Sequence, residues 1–280
     1  MFAARTPLST RLWVAGVWLF VAFFVVNLFG LIGSVLTSSF ATRWLGTWLP
    51  AGFTTKWYFA AWDEFQLGDV LWVTFQVVGS VVALSGLVGV PAAYALARRE
   101  FPAKKAVMLL LLLPLLVPPV TYGIPLATVL YKSGLGGSLA GVILANLVPT
   151  VPFVVLVMIP FIEQIDPRIE AAARVFGAST PKVFVYVLVP ILLPGVLAAL
   201  LLVLVRTIAM FELTFLVAGP GSQTLVVALY YAVFAAGVRA VQSIDAMAVI
   251  YMITTLVWLI IALRFVNPTQ IVARAKRSNT

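Results

Sequence analysis

Long apolar runs separated by short polar connections make up most of the chain. Six runs are long enough to cross a hydrocarbon layer of about 30 Å as α-helices, which rise about 1.5 Å per residue. These runs cover residues 12–36, 70–97, 106–131, 138–162, 183–218 and 246–263. The pattern therefore predicts an all-α, polytopic membrane protein with six spans.

The connections divide the chain into regions. A signal peptide is the alternative for run 12–36, but this run is longer than an h-region and lacks a clear small-residue cleavage site, which favours a retained span. The predicted regions are a cytoplasmic lead at 1–11, a first span with an external connection at 12–69, a transmembrane core at 70–265 with a loop at 162–182, and a cytoplasmic basic tail at 266–280.

The connection 37–69 is the longest polar segment, and it is rich in aromatic residues. These residues include Trp44, Trp48, Trp57, Tyr58 and Trp62. Aromatic rings concentrate where a bilayer meets water, so we expect the connection to lie on the membrane interface. A surface that stacks on substrate is the alternative.

Prolines are concentrated in run 106–131, at Pro114, Pro118, Pro119 and Pro125. A proline kinks a helix and frees a carbonyl group that the bundle must satisfy. Two explanations are open, namely packing between neighbouring helices and a broken helix beside a translocation path.

Run 183–218 is longer than one span requires. We expect its first turns, near Pro190, to lie outside the hydrocarbon and residues 195–217 to form the buried part. Residues 222–234 are predicted to form a re-entrant or surface helix. Ser243 and Asp245 precede the last span.

Composition supports the membrane prediction and excludes several chemistries. The 280 residues are 63% hydrophobic and only 10% charged, and the mean hydropathy is +1.12. The formal net charge of +9 could suggest nucleic acid, but the basic residues cluster at the ends of apolar runs, where membrane orientation explains them better. The absence of Cys and His removes disulfides, thiol nucleophiles, His-ligated metals and the usual catalytic triads.

The distribution of Lys and Arg predicts the orientation. With a cytoplasmic N-terminus and six spans, the cytoplasmic segments hold thirteen basic residues and the external segments four, a positive-inside bias. The cytoplasmic set is Arg5, Arg11, Arg98, Arg99, Lys104, Lys105, Arg168, Arg174, Lys182, Arg264, Arg274, Lys276 and Arg277. The external set is Arg43, Lys56, Lys132 and Arg239. Both termini and the loop 162–182 then share the cytoplasmic face.

The loop 162–182 contains a short predicted helix. Asp166 is a favourable N-cap, and Pro167 suits the first helical position because its missing N–H costs nothing there. Glu170 and Arg174 form an i,i+4 pair in the favourable order. Gly177 is a natural helix stop. A charged helix of this length is far too short to cross a membrane.

The stretch 166–194 resembles the EAA loop of permease subunits of type I ABC importers, the MetI-like inner-membrane components of binding-protein-dependent transport. That pattern runs Glu-Ala-Ala, three residues, Gly, nine residues, Ile-x-Leu-Pro. Gly177 and Pro190 keep the spacing after the Gly. With Gly177 aligned, the family's Glu falls on Ala171, and we take Glu170 as the equivalent acid.

The resemblance implies a six-span permease bundle with a cytoplasmic coupling helix, in the bacterial inner membrane. It implies an ABC ATPase dimer, a second and different permease subunit and an extracytoplasmic solute-binding protein as partners. ATP and Mg would be used by the ATPase subunits, and this chain would bind no cofactor. The implied ATPase-coupling residues are Glu170, Ala171, Ala172, Arg174, Gly177 and Ala178.

Two charges inside the fifth run, Arg206 and Glu212, are candidates for the substrate path, because charges within a membrane are costly and face the bundle interior. A carboxylate beside Phe211 and Phe215 suits a cationic ligand through charge and cation–π attraction. Pairing with another helix or subunit is the structural alternative. Tyr122 and Asn146 complete the predicted path. Residues 210–225 also resemble polyamine-type permeases, although only Glu212 is acidic there.

The predicted function is therefore an importer permease for a polyamine-like organic cation, with a sugar or polyol as the second candidate. A secondary transporter working without ATP needs no EAA spacing, and an intramembrane enzyme lacks a catalytic cluster. The chain has no G-x-x-x-x-G-K-[ST] motif and so cannot itself cradle ATP phosphates.

Overall fold

A computed structural model describes residues 8–44, 47–234 and 239–265. The predicted tail at 266–280 and the first seven residues of the predicted lead lie outside the described residues. The α-helices are α1 (Leu8–Phe40), α2 (Lys56–Glu64), α3 (Leu67–Arg98), α4 (Lys104–Leu116), α5 (Pro119–Lys132), α6 (Leu139–Glu163), α7 (Pro167–Val175), α8 (Thr180–Val183), α9 (Val189–Ile208), α10 (Glu212–Val217), α11 (Leu225–Phe234) and α12 (Val241–Phe265). The predicted all-α class is confirmed.

The helices correspond to the predicted spans, although the third, fifth and last spans differ in detail from the prediction. Five helical segments of the described chain are long and apolar enough to cross a membrane, and α4 with α5 makes a sixth if this bent pair is one span. The pair bends by 103°, so the predicted third span over 106–131 consists of two helices. The prolines therefore break the helix, as the second of the two explanations requires, and its place beside a translocation path stays a prediction.

The bend between α4 and α5 follows from consecutive prolines. The residue before a proline is pushed out of the helical region, because the proline ring clashes with its backbone. Val117 and Pro118 each precede a proline, and both are extended, with ψ of 134° and 135°. Pro119 then begins α5, where no N–H is required.

The fifth run also differs from its prediction. Helix α9 ends at Ile208 and α10 begins at Glu212, so 195–217 is not one continuous buried helix. The break contains neither Gly nor Pro, which is why the sequence pattern did not reveal it. Before α9, residues Phe184–Leu188 form a π-helical turn in which the Val189 N–H donates to the Phe184 carbonyl, five residues earlier. Pro190 follows this turn and has no N–H for the next bond.

The described residues divide into two compact units, one from 8–64 and 239–250 and the other from 65–234 and 251–265. In the larger unit, α3 packs most extensively on α6 and also contacts α9. Helix α3 approaches α6 closely at Gly89, where an added Cβ would lie 2.7 Å from Val154 Cγ1. The core of this unit is built around Val81, Met158 and Leu188, all fully buried.

In the smaller unit, the end of α1 is joined to α2 and to the start of α12. Ser39 shares a hydrogen bond of 2.8 Å with the Tyr58 hydroxyl, and the Ser38 hydroxyl donates to Asp245. Glu64 pairs with Arg239 at 3.1 Å. Asp245 lies inside α12 rather than before it, so the last helix begins earlier than the predicted 246. Most of α1 carries exposed apolar side chains.

One end of the larger unit is closed by two turns whose backbones touch. Gly137 N–H donates to the Val217 carbonyl, and Ser222 Oγ donates to the Gly137 carbonyl. An added Cβ at Gly219 would lie 2.8 Å from the Gly137 oxygen, so glycine is required for this approach. The turns 133–138 and 218–222 therefore meet at the same end of the bundle.

Candidate functional site

Helix α7 forms as the sequence predicts. The Asp166 side chain accepts a hydrogen bond of 2.9 Å from the Arg168 N–H, which caps the first turn. Pro167 occupies the first helical position. After the last turn, Gly177 adopts a φ of +84°, a left-handed conformation that glycine reaches without strain. These local signals fix both ends of α7.

Glu170 lies under α7 rather than on its exposed surface. Its side chain is 4% exposed, and its two oxygens accept hydrogen bonds of 2.7 Å from Arg98 Nε and from the Tyr94 hydroxyl. The predicted partner Arg174 is present but more distant, at 3.3 Å, and its side chain is 48% exposed. The strong contacts of Glu170 are therefore with α3.

Arg98 connects α3 to the loop on both sides of Asp166. Besides its contact with Glu170, its Nη2 donates a hydrogen bond of 2.7 Å to the Ile165 carbonyl. Our sequence reasoning missed Tyr94 and Arg98 as part of the site. The basic turn after run 70–97 marked Arg98 as a cation, but nothing local indicated its partner 72 residues away.

The opposite face of α7 is exposed and apolar. Ala171 and Ala172 are exposed, as predicted for a smooth docking surface. The C-terminal end adds Val175 and Phe176, which are 85% and 90% exposed. Ala178, also predicted to contact the ATPase, is instead half-buried against the core. We call Ala171, Ala172, Val175 and Phe176 the loop-helix patch.

The break after α9 separates the two intramembrane charges. Arg206 lies in the last turn of α9, with its guanidinium 5.9 Å from the Phe153 ring centroid, and Glu212 begins α10. In the part of the chain that the structure describes, neither charge has an ion-pair partner within 4.0 Å.

The other predicted path residues, Tyr122 and Asn146, lie on α5 and α6. Asn146 is fully buried, and its Nδ2 donates to the Val142 carbonyl at 2.9 Å and to Thr214 Oγ1 of α10 at 3.1 Å. Asn146 Oδ1 and the Tyr122 hydroxyl are buried without a hydrogen-bond partner in the described chain.

A cluster of aromatic rings surrounds the start of α10. The Phe211 and Phe215 rings stack with centroids 5.1 Å apart, and Tyr230 of α11 lies 4.8 Å and 5.2 Å from them. Sequence reasoning included the two phenylalanines but missed Tyr230. Within the described ranges, no group of three or more His, Cys, Asp or Glu side chains could hold a metal ion.

The helices and their apolar surfaces define a multi-pass membrane protein. A family model described as "Binding-protein-dependent transport system inner membrane component" matches residues 85–272, and the chain belongs to this family. The family consists of membrane permeases and not of enzymes. This finding confirms the resemblance based on the EAA spacing.

Curated relatives of different named specificity match the chain. The melibiose/raffinose/stachyose import permease MelC of Bacillus subtilis is 31% identical over 156 residues, which are 55% of this chain and 55% of the relative. A probable molybdenum ABC transporter permease of Haloferax volcanii is 36% identical over 165 residues, 52% of this chain and 61% of the relative. The diacetylchitobiose uptake permease NgcG of Streptomyces coelicolor is 28% identical over 197 residues, which are 70% of this chain and 63% of the relative. The chain thus spans little more than half to about two thirds of the length of these relatives.

A solved structure shares the fold. One chain of a bacterial ABC transporter involved in the import of the acidic polysaccharide alginate superposes with a TM-score of 0.77 at 15% identity, covering 95% of this chain and 100% of that chain. The same transporter type in complex with a periplasmic protein bound to alginate pentasaccharide gives a TM-score of 0.67 at 16% identity, covering 90% and 92%.

Proposed function

We propose that this chain is one permease subunit of an ATP-driven ABC importer in the inner membrane. Its partners would be an ABC ATPase dimer, a second and different permease subunit and an extracytoplasmic solute-binding protein. The observation that carries the proposal is α7, a short helix with one face anchored to a spanning helix and the other exposed and apolar. Such an element suits docking of an ATPase subunit.

The two faces of α7 have separate roles in this proposal. The loop-helix patch contacts the ATPase. Gly177 allows the ATPase to approach the loop closely, because the space in which a side chain would stand is open, with no atom within 4 Å of an added Cβ. When the ATPase moves α7, Glu170 transmits this movement to Tyr94 and Arg98 of α3. Because α3 packs on α6 and α9, closure of the ATPases would shift these helices together and switch the cavity from inward-facing to outward-facing.

The ATPases must lie in the cytoplasm, so the proposal includes an orientation. The thirteen-to-four distribution of basic residues supports a cytoplasmic position for the α6–α7 loop and both termini. Within the larger unit, Arg98 and Glu170 join the α3–α4 and α6–α7 connections at one end, as this orientation requires.

For the substrate, we propose a small organic cation of the polyamine type as first candidate. Glu212 supports this assignment, because it has no protein cation within ion-pair distance in the described chain and directly follows Phe211, whose ring stacks on that of Phe215. A carboxylate near aromatic faces attracts an ammonium group through charge and cation–π contact.

A sugar or polyol is the second candidate. The same aromatic cluster, extended by Tyr230, offers flat apolar faces on which a sugar ring could stack. Two of the relatives, MelC and NgcG, carry the names of oligosaccharides. A sugar would leave the Glu212 charge uncompensated, which is why we place it second.

The proposal is tested by co-expressing the chain with a second permease, an ATPase and a binding protein encoded in the same genome and reconstituting the complex in liposomes. We expect ATP hydrolysis that the loaded binding protein stimulates. Gly177→Trp should abolish this stimulation while membrane insertion stays intact, and Ala171→Glu, which restores the family's residue, should be tolerated.

Gly134→Trp is the matched control. Gly134 has a positive φ of 75° and open space around it, like Gly177, but lies in the turn after α5. The introduced tryptophan therefore strains the backbone to a similar extent in both variants. Full stimulated hydrolysis in Gly177→Trp would rule out docking through α7, and so would equal losses in the two variants.

A further inference from the structure

Helix α2 is fastened to the C-terminal end of α1 in the smaller unit. The Thr54 N–H donates a hydrogen bond of 2.6 Å to the Phe40 carbonyl, which folds the connection back onto this end. Trp57 Nε1 of α2 donates to the Ala41 carbonyl at 2.7 Å, and the Tyr58 ring lies 4.9 Å from the Phe40 ring. The orientation of α2 on the unit is therefore fixed by several contacts.

The surface of α2 divides into three faces of different chemistry. Ala61 is fully buried and Trp57 and Tyr58 are half-buried, so these residues face the rest of the unit. Phe59 and Trp62 form a second face that is apolar and exposed. At about 100° per residue, the centres of the three faces are about 120° apart. The third face holds all the charges of the helix, namely Lys56, Asp63 and Glu64.

An apolar crevice of about 420 Å³ lies beside the same end of α1. It is lined by Leu36, Thr37 and Phe40 of α1 and by Phe53 of the connection. Leu36 is the last residue of the apolar run 12–36, and the polar residues Thr37 and Ser38 follow it. The boundary between hydrocarbon and headgroups falls where a spanning helix changes from apolar to polar. The crevice therefore lies at the level of this boundary.

We propose that this part of the smaller unit is a phospholipid-binding surface, in which Phe59 and Trp62 enter the membrane interface and an acyl chain occupies the crevice. A helix with separate apolar and charged faces lies in the plane of the interface, and aromatic rings are favoured at this level. The proposal goes beyond the importer function and does not depend on the identity of the solute.

Two observations favour lipid over a protein as the occupant. The exposed apolar surface of α1 extends to Leu36 at the crevice, so the lipid that surrounds α1 also reaches the crevice. Arg43 and Lys56 of the connection are exposed and have no carboxylate within 4.0 Å in the described chain, which leaves them free to meet headgroup phosphates. Lys56 Nζ lies 4.3 Å from the Trp57 ring centroid, a contact typical of the membrane interface.

The first experiment uses single-cysteine variants of the full chain, which has no native Cys. The chain is purified with partner subunits that lack cysteine, labelled with the fluorophore NBD and placed in nanodiscs of phosphatidylcholine and phosphatidylglycerol. Phe59→Cys and Trp62→Cys report on the apolar face. Ala60→Cys is the matched control, because Ala60 is also exposed but lies on the charged face.

We expect blue-shifted emission at positions 59 and 62, with quenching by doxyl-labelled phospholipids and protection from iodide in the water. The depth should be about 5–10 Å into the boundary between headgroups and acyl chains. The label at position 60 should instead be quenched by iodide.

Three outcomes would overturn the insertion of this face into lipid. Equal iodide quenching at all three positions would place the apolar face in water. Protection of positions 59 and 62 from both quenchers would mean that a protein subunit covers them. Loss of doxyl quenching when the solute-binding protein is added would make the face a docking site for that protein.

The second experiment tests the crevice. Thr37→Trp should fill it, whereas Ser34→Trp places the same side chain one turn earlier on α1, outside the lining. Native mass spectrometry of the complex in detergent counts the phospholipids that remain bound. We expect Thr37→Trp to lose a phospholipid that the unaltered complex and Ser34→Trp retain. Equal lipid counts in all three proteins would overturn the crevice as an acyl-chain site.

A labelled Phe53→Cys variant reads the crevice without filling it, so the test does not depend on the folding of Thr37→Trp. Quenching of this label by doxyl lipids would support an acyl chain in the crevice, and quenching by iodide alone would overturn it. None of these results bears on docking of the ATPase, which is measured separately by stimulated ATP hydrolysis.

Discussion

Glu170 shows how a residue of a recognised motif is held by partners that the motif does not reveal. Its acidity and spacing predicted an ATPase-coupling residue, and its carboxylate is almost fully buried between Tyr94 and Arg98. Each oxygen receives a short, charge-assisted or hydroxyl hydrogen bond, so the buried charge is well satisfied. Glu170 is therefore placed to hold α7 against α3.

Glu170→Gln should destabilise the chain, because it leaves the Arg98 guanidinium, only 15% exposed, without its counter-charge. Breaking a buried ion pair by removing one partner costs about 3–5 kcal/mol. We expect a clearly lowered melting temperature of the detergent-solubilised complex. The double variant with Arg98→Gln should be milder than the sum of the two single variants, since neither charge is then stranded.

The exposed pair of Lys104 with Glu100 provides the control. Its atoms are also 2.7 Å apart, but Glu100 is 88% exposed, so Glu100→Gln should cost less than about 1 kcal/mol. Similar losses in Glu100→Gln and Glu170→Gln would contradict the buried-anchor role of Glu170.

Gly219 tests the contact between the two turns at the other end of the bundle. Gly219→Ala would place a Cβ 2.8 Å from the Gly137 oxygen and 3.0 Å from its Cα, both backbone atoms that cannot rotate away. Overpacking of this kind costs about 1–3 kcal/mol, so the melting temperature should fall. Gly221→Ala, with no atom within 4 Å of the added Cβ, should have almost no effect. Equal behaviour of the two variants would show that the turns do not touch.

At the scale of the element, α7 combines local signals for its ends with two contrasting faces. Glu170 and Ala173 contact the core, while the loop-helix patch faces away from it. The exposure of Val175 and Phe176 is unfavourable for an isolated chain, because large apolar side chains in water lose the stabilisation that burial would give. A partner that covers them would recover it.

Phe176→Ser should therefore weaken ATPase binding without destabilising the permease. The side chain is 90% exposed, so its removal should change the free energy of unfolding by no more than about 0.5 kcal/mol. As an aromatic anchor in an interface, it should contribute more than about 1 kcal/mol to binding. The measurement is the ATPase recovered with the purified permease as its concentration is lowered.

Trp48→Ser is the control for Phe176→Ser. Trp48 is 98% exposed and lies in the connection between α1 and α2, outside the patch. The variant Trp48→Ser should leave the recovery of the ATPase with the purified permease unchanged. Retention of normal ATPase affinity in Phe176→Ser would exclude this side chain from the interface.

For the whole molecule, two sets of contacts identify the ends of the larger unit. Arg98 and Glu170 bring together the connections that follow α3 and α6. Gly137 and Gly219 bring together the turns that precede α6 and follow α10. Helix α6 runs from the second set to the first, and its 25 residues are enough to cross a bilayer. Within this unit, successive connections therefore lie at alternating ends, as six membrane spans require.

This topology predicts which end faces the cytoplasm, and the absence of native Cys makes single-cysteine labelling direct. Ser133→Cys, in the turn after α5, should react with a membrane-impermeant maleimide in intact cells. Ser179→Cys, in the loop after α7, should react only after permeabilisation. Both positions are exposed, and the substitution is nearly isosteric. Reaction of Ser179→Cys in intact cells would reverse the orientation and with it the docking of a cytoplasmic ATPase.

The sequence by itself determined the features that depend on local chemistry. Spans follow from the apolar runs, because a membrane helix must satisfy its backbone internally and present apolar side chains. The N-cap at Asp166 and the stop at Gly177 follow from hydrogen bonds and φ preferences within a few residues. The family spacing of this loop is likewise a local pattern, which is why family and fold class were predicted correctly.

Only the tertiary structure decided how distant residues meet. The α3 partners of Glu170 lie 72 and 76 residues away, and no periodicity encodes such a pairing. The break between Ile208 and Glu212 contains no Gly or Pro that would indicate it in the sequence. The hydrogen bond from Asn146 to Thr214, 68 residues away, arises from packing of α6 on α10, because long-range packing selects among helix arrangements that local propensities leave equally possible.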